Sequence, residues 1–115
     1  MIGDESVVMA TTREGIVVIR LRGAVDADSA PGLVRVLAEA AVSGSSRTVV
    51  DLSDTSFADS HTLHALLDAQ KLHRAAGRSL VLAGPLQVAV RRLFEVTGTG
   101  AAFRMTDSLE SAMTC

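Results

Sequence analysis

Val49-Val50-Asp51-Leu52-Ser53-Asp54-Thr55-Ser56-Phe57-Ala58-Asp59-Ser60-His61-Thr62-Leu63 passes from an apolar strand, through a short polar loop, into a helix opening at Asp59-Ser60. This order puts a serine hydroxyl on the first turn of a helix. Unpaired backbone N–H groups and the helix dipole favour an anion there. Two readings of the serine follow from the local sequence. Asp59 or Ser60 is the N-cap, the commonest use of such residues at a helix start. Alternatively, Ser60 is a phosphoacceptor, with Ser56 in the loop as a second candidate.

Working outward, strands and helices alternate. Val7 to Thr11 reads as an edge strand, joined through Arg13-Glu14-Gly15 to the β-branched strand Ile16–Arg22. Gly23-Ala24-Val25-Asp26 leaves the sheet, and Asp28 or Ser29 caps a helix starting near Pro31. Leu33, Leu37, Ala40 and Ala41 form its inner stripe, widened by Val34 and Val36. Arg47 to Leu52 is apolar enough for a central strand. The helix from Ser60 to about Ala76 carries Leu63, Leu66, Leu67, Ala69 and Leu72. Gly77 ends it, with His73, Arg74 and Arg78 near the negative pole of the dipole. Leu80–Ala83 is a buried strand, and Gly84-Pro85 turns into a third helix with Leu86, Val90, Leu93, Phe94 and Val96. Ala101–Arg104 and a short helix capped by Asp107 or Ser108 complete the chain. The alternation predicts one α/β domain over residues 1–115. Its central mixed sheet has about four or five strands, largely parallel after the first hairpin, with about four helices.

Composition narrows the function. With 115 residues, 48% hydrophobic and 21% charged, the chain can bury a core without disulfides or metals. A net charge of −2, scattered arginines, no Trp, no Tyr and three Phe argue against a nucleic-acid surface. The single cysteine, Cys115, fits a reducing compartment. Met1-Ile2-Gly3-Asp4-Glu5 lacks the basic start and apolar run of a secretion signal, and nothing approaches a membrane span. A cytoplasmic protein without a membrane partner is expected.

Catalytic and metal chemistry find little support. His61 and His64 lie three apart on a helix, near Asp59, Asp68 and His73, but no third ligand stands at a metal-site spacing. These histidines read as solvated. Ser60 and His61 point apart as helix neighbours, and no G-x-S-x-G elbow is present. Asp51 with Asp26 and Asp28 could hold Mg²⁺ as in an aspartyl phosphoacceptor. However, Lys71, the only lysine, falls inside a helix rather than at a late strand end. Asp51 therefore reads as a loop hydrogen-bonding residue. No cofactor is expected.

Three blocks carry a family resemblance. They are Leu21-Arg22-Gly23-Ala24-Val25-Asp26, then Val50-Asp51-Leu52-Ser53 through Phe57-Ala58-Asp59-Ser60-His61-Thr62-Leu63, then Val90-Arg91-Arg92-Leu93-Phe94-Glu95-Val96-Thr97-Gly98. In this order and spacing the chain resembles the STAS family, shared by anti-sigma factor antagonists and the cytoplasmic ends of sulphate transporters. The resemblance implies a STAS-type fold and a role in partner switching. The antagonist binds an anti-sigma factor that is also a serine kinase. Phosphorylation breaks the complex, and a serine phosphatase restores it. By the same resemblance Ser60 is the acceptor, matching the serine directly after the aspartate of Asp-Ser-Ser-Gly-Leu. Asp59 matches that aspartate, and Asp26 the acidic residue of the neighbouring docking loop. His61 and Thr62 stand where the family has Ser and Gly, adding bulk beside the hydroxyl. Asp26, Asp59, Ser60, His61, Thr62 and Phe94 make up the expected partner-binding set; Asp26 reads equally as a turn residue after its strand, and for Phe94 helix core is the favoured reading, with an extension of the interface as the other.

Overall fold

The computed structural model describes residues 7–115, so Met1–Glu5 lies outside the described residues. The elements are β1 (Val7–Arg13), β2 (Ile16–Val25), α1 (Ala30–Ala41), β3 (Arg47–Asp51), β4 (Thr55–Ala58) and α2 (Ser60–Ala75). They are followed by β5 (Ser79–Ala83), α3 (Val88–Thr97), a 3₁₀ turn (Gly100–Ala102), β6 (Arg104–Thr106) and α4 (Leu109–Thr114). The sheet order is β1-β2-β3-β5-β6, with β4 paired to β2. Among the described residues only β1–β2 is antiparallel; the other pairs are parallel. The α/β architecture with a mixed sheet agrees with the alternation of the sequence.

Local chemistry explains the hairpin. Glu14 and Gly15 have φ of 54° and 78°, the paired positive values of a type I′ turn, whose twist matches that of the flanking strands. Along β2 the side chains alternate. Val17, Ile19 and Leu21 join the main core with Leu33 and Leu37 of α1, Leu63 and Leu66 of α2, and Val90 and Phe94 of α3. On the opposite face Ile16 joins a smaller cluster of Val49, Val81, Ala83 and Ala112, covered by α4.

The structure corrects the sequence reading in three places. β2 does not end at Arg22 but runs to Val25, and the expected loop contains β4. Gly23 pairs with Thr55, Ala24 with Phe57 and Val25 with Ala58, so Ser56 is passed over in a bulge. Thr55 and Ala58 are buried while Ser56 and Phe57 are exposed. The period of two is thereby lost from the pattern, which made the segment resemble a loop.

The second correction concerns α2. Its buried stripe runs Thr62, Leu66, Ala69 and His73, while Leu72 is 50% exposed. His73 is not solvated: it is fully buried, with Nδ1 2.8 Å from the Ala69 carbonyl and Nε2 2.8 Å from Thr48 Oγ1. A carbonyl only accepts, so these partners assign the proton to Nδ1, and the Thr48 hydroxyl donates to Nε2. The third concerns exposure: Val34 and Val96, expected on inner faces, are 49% and 78% exposed.

Arg47 anchors α4 to the sheet. Its guanidinium donates to the carbonyls of Ala112 and Met113 at 3.2 and 2.8 Å, and to the Cys115 oxygen. Free carbonyls at a helix C-terminus favour a cation, and here it comes from a distant strand. No helix among the described residues is long and apolar enough to cross a membrane.

Candidate functional site at the start of helix α2

The ends of β2 and β4 lie in register, Val25 beside Ala58, and each opens a loop onto a helix. The Val25 carbonyl ties the two together, accepting from Asp59 N–H at 3.3 Å and Thr62 Oγ1 at 3.0 Å. Asp26, one residue beyond Val25, therefore stands next to the Asp59-Ser60 corner. Asp26 is exposed and shapes its own loop. Its Oδ1 accepts from Asp28 N–H at 3.1 Å, and its carbonyl from Ser29 and Ala30 N–H at 3.0 Å.

Asp59 is the N-cap of α2. Its Oδ1 accepts from His61 N–H at 3.0 Å and from Thr62 N–H at 3.2 Å. Oδ2 lies 3.4 Å from His61 Nδ1. Burial pushes the Asp59 carboxyl up. The Thr62 N–H and the His61 side chain and N–H outweigh that and hold its pKa below the ordinary value. The carboxylate thus occupies the amides at the second and third helical positions, the ones a free helix start would offer to an incoming anion.

Ser60 is the first helical residue and is exposed; among the described residues its hydroxyl makes no hydrogen bond. No base activates it as a nucleophile, since both Asp59 oxygens face other donors. What remains is an accessible hydroxyl at a fixed position on a rigid helix start. A phosphate placed there would meet the Asp59 carboxylate rather than vacant amides, so the helix start is a poorer anion seat than the sequence suggests.

The structure brings Asp26, Asp59, Ser60 and His61 to one rim and sets Thr62 and Phe94 inside, Phe94 in the core position that was the favoured reading for it. Thr62 is 1% exposed, its hydroxyl spent on Val25, so it positions the corner and does not present its side chain to a partner. Phe94 is 5% exposed and packs edge-on to Phe103 with ring centroids 5.8 Å apart. It is core. The aromatic that does face outward is Phe57 in β4, with Val88 at the start of α3, the helix packed on β4, also exposed. Reading β4 as a strand with a bulge would have found Phe57; reading it as a loop could not.

The other candidates resolve into structural roles. Asp51 accepts from Ser53 N–H and Oγ at 3.0 and 2.8 Å and pairs with Arg20 at 3.3 Å, the loop-holding role expected of it. Among the described residues, no three His, Cys, Asp or Glu side chains gather as a metal site. Ser56 and Asp54 line an open groove with Arg20, Arg22 and Gln87.

Comparison with known proteins agrees with this fold. Residues 7–112 match the STAS domain family. No curated protein matches the chain in sequence. Among solved structures, an anti-sigma factor antagonist from Mycobacterium paratuberculosis is 27% identical, with TM-score 0.80 over 98% of this chain and 95% of that one. A putative anti-sigma factor antagonist from Thermotoga maritima superposes with TM-score 0.82 at 18% identity, covering 92% and 91%. The Bacillus cell fate determinant SpoIIAA in its phosphorylated form gives TM-score 0.67 at 22% identity, covering 93% and 96%. With the family matched across nearly all of its length, and the strand, bulge and helix start arranged as described, this chain belongs to the STAS domain family.

Proposed function

We propose that this protein is an anti-sigma factor antagonist acting in the cytoplasm. It binds an anti-sigma factor with serine kinase activity, is released by phosphorylation at Ser60, and is restored by a serine phosphatase. The observation that carries this reading is the exposed, unpartnered Ser60 hydroxyl, held on a rim with Asp26, Asp59 and His61. The likeness to solved anti-sigma factor antagonists supplies the partner class.

Charge explains how the switch divides its effects. Phosphate adds about −1.5 to −2 charge beside a carboxylate already held ionised. A partner buried against a neutral hydroxyl would then face a dianion. A penalty of about 2.7 kcal/mol weakens binding about a hundredfold. Because Ser60 is exposed and takes no part in the cap, the fold itself tolerates the change.

The test is intact mass after incubation with ATP and the host's anti-sigma kinases, followed by fragment mapping. A single phosphate on Ser60, absent from Ser60→Ala, is expected, with Ser60→Ala still binding its partner. A second reading, a STAS scaffold that binds partners unmodified, is favoured by one feature. The His61 side chain, 62% exposed and paired with Asp59, stands beside the hydroxyl where the family has serine. Partner binding with no phosphate acquired from any kinase would select that reading.

A further inference from the structure

At the far end of α2, about 21 Å from Ser60 at 1.5 Å per residue, the surface has a second feature. A depression of about 220 Å³ lies between the last turns of α2 and the starts of β5 and β6, lined by Gln70, Arg74, Arg78, Ser79, Leu80 and Arg104. Three of the chain's eleven basic residues meet here, in a protein whose net charge is −2. No carboxylate lines it. Among the described residues none of the three arginines forms an ion pair, whereas Arg20 and Arg35 do.

The ordinary reason for arginines at a helix end is to satisfy its last carbonyls. For Leu72, His73 and Arg74 that need is already met by backbone. Ala76 N–H bonds the Leu72 and His73 carbonyls, Gly77 N–H the Arg74 carbonyl, and Arg78 N–H the His73 carbonyl. The guanidinium groups are left over. Arg78 is held in place by a 2.8 Å bond from one Nη to the Ser45 carbonyl, and among the described residues its remaining side-chain donors are uncommitted. The side chains of Arg74 and Arg104 are exposed and make no protein hydrogen bond among the described residues. Ser79 adds a half-buried hydroxyl.

We propose that Arg74, Arg78, Arg104 and Ser79 form a binding site for a phosphate-bearing anion, separate from the Ser60 rim. Three planar forks converging on one polar depression match tetrahedral oxyanions, which accept paired N–H donors. An anion there also relieves the mutual repulsion of three unpaired cations. This site does not depend on the phosphorylation of Ser60.

The test is a ¹H–¹⁵N titration of the full chain with sodium phosphate, against sodium chloride at equal ionic strength. Phosphate should shift the amides of Arg74, Arg78, Ser79 and Arg104 saturably, leaving those around Ser60 still. The double substitution Arg74→Gln/Arg104→Gln should weaken binding about a hundredfold, the loss of two charge-assisted contacts. Both residues are exposed, so the melting temperature should be unchanged. Flotation with phosphatidylcholine vesicles containing a minor fraction of phosphatidic acid separates the sources. Vesicle binding that phosphate competes away and the double variant lacks assigns a lipid headgroup; phosphate binding without flotation assigns a soluble phosphate compound. Shifts equal to those in chloride, or surviving the double substitution, would overturn the proposal.

Discussion

Asp59 does two things with one carboxylate. It caps α2 through the N–H groups of His61 and Thr62, and it keeps a negative charge beside Ser60. Removing the cap in Asp59→Ala should cost about 1 kcal/mol, measured by urea unfolding near neutral pH. The sign of the pH effect follows from the lowered folded-state pKa. Its contribution is fully present above the unfolded carboxylate value of about 3.9, and is lost as pH falls through the depressed folded value. Asn caps as well as Asp but does not titrate. The stability gap between wild type and Asp59→Asn should therefore be constant above about pH 5 and shrink in acid below about pH 4. A gap independent of pH would remove the charge from the account. At Ser60 itself, Ser60→Asp should weaken partner binding less than phosphate does, since one carboxylate supplies only part of the dianion. Titration calorimetry against the anti-sigma partner reads the difference.

At the scale of an element, α2 carries a polar residue at each end of its buried stripe, and each reaches a different strand. Thr62 bonds the end of β2, and His73 bonds Thr48 in β3. A buried polar pair is stabilising only while both members are present. Thr48→Val should leave His73 Nε2 without a donor and cost about 1–3 kcal/mol. Adding His73→Leu to Thr48→Val should return part of that loss, a coupling that a double-mutant cycle of unfolding free energies would expose. Strictly additive effects would mean that the 2.8 Å contact contributes nothing. β4 is the other element with a function in view. Its bulge at Ser56 turns Phe57 outward, 47% exposed, next to the α2 start. An exposed aromatic beside the proposed docking rim suits an interface anchor. Phe57→Ala should weaken partner binding by about 2 kcal/mol, roughly thirtyfold, with little change in melting temperature.

Among the described residues, three helices cover one face of the sheet and only short α4 covers part of the other. Arg47 holds that cover by bonding the carbonyls at the C-terminal end of α4, while its buried Nε finds no acceptor. Arg47→Ala should cost about 2 kcal/mol or more and loosen α4 first. Hydrogen exchange should show faster exchange in Leu109–Thr114 and, beneath it, in Val49 and Val81 of the smaller cluster. Uniform acceleration over the whole chain would instead make α4 part of the global unfolding unit.

The alternation of strands and helices, the hairpin turn around Arg13-Glu14-Gly15, the inner stripe of α1 and the Asp59-Ser60 helix start were all legible in the sequence. Each depends on neighbours within a turn or a strand: periodicity, φ > 0 residues and capping side chains. The same local reading mistook β4 for a loop and sent Leu72 inward in place of His73, and the family resemblance put Thr62 on the partner surface. Those outcomes rest on contacts between residues far apart in the chain. β4 exists because Gly23 to Val25 offers it a paired edge; His73 is buried because Thr48 and Ala69 satisfy both its nitrogens. The sequence determined the strands and helices other than β4, and where the serine would stand. Tertiary structure decided which polar groups could be buried and which faces were left to a partner, because burial is settled by partners that local sequence does not contain.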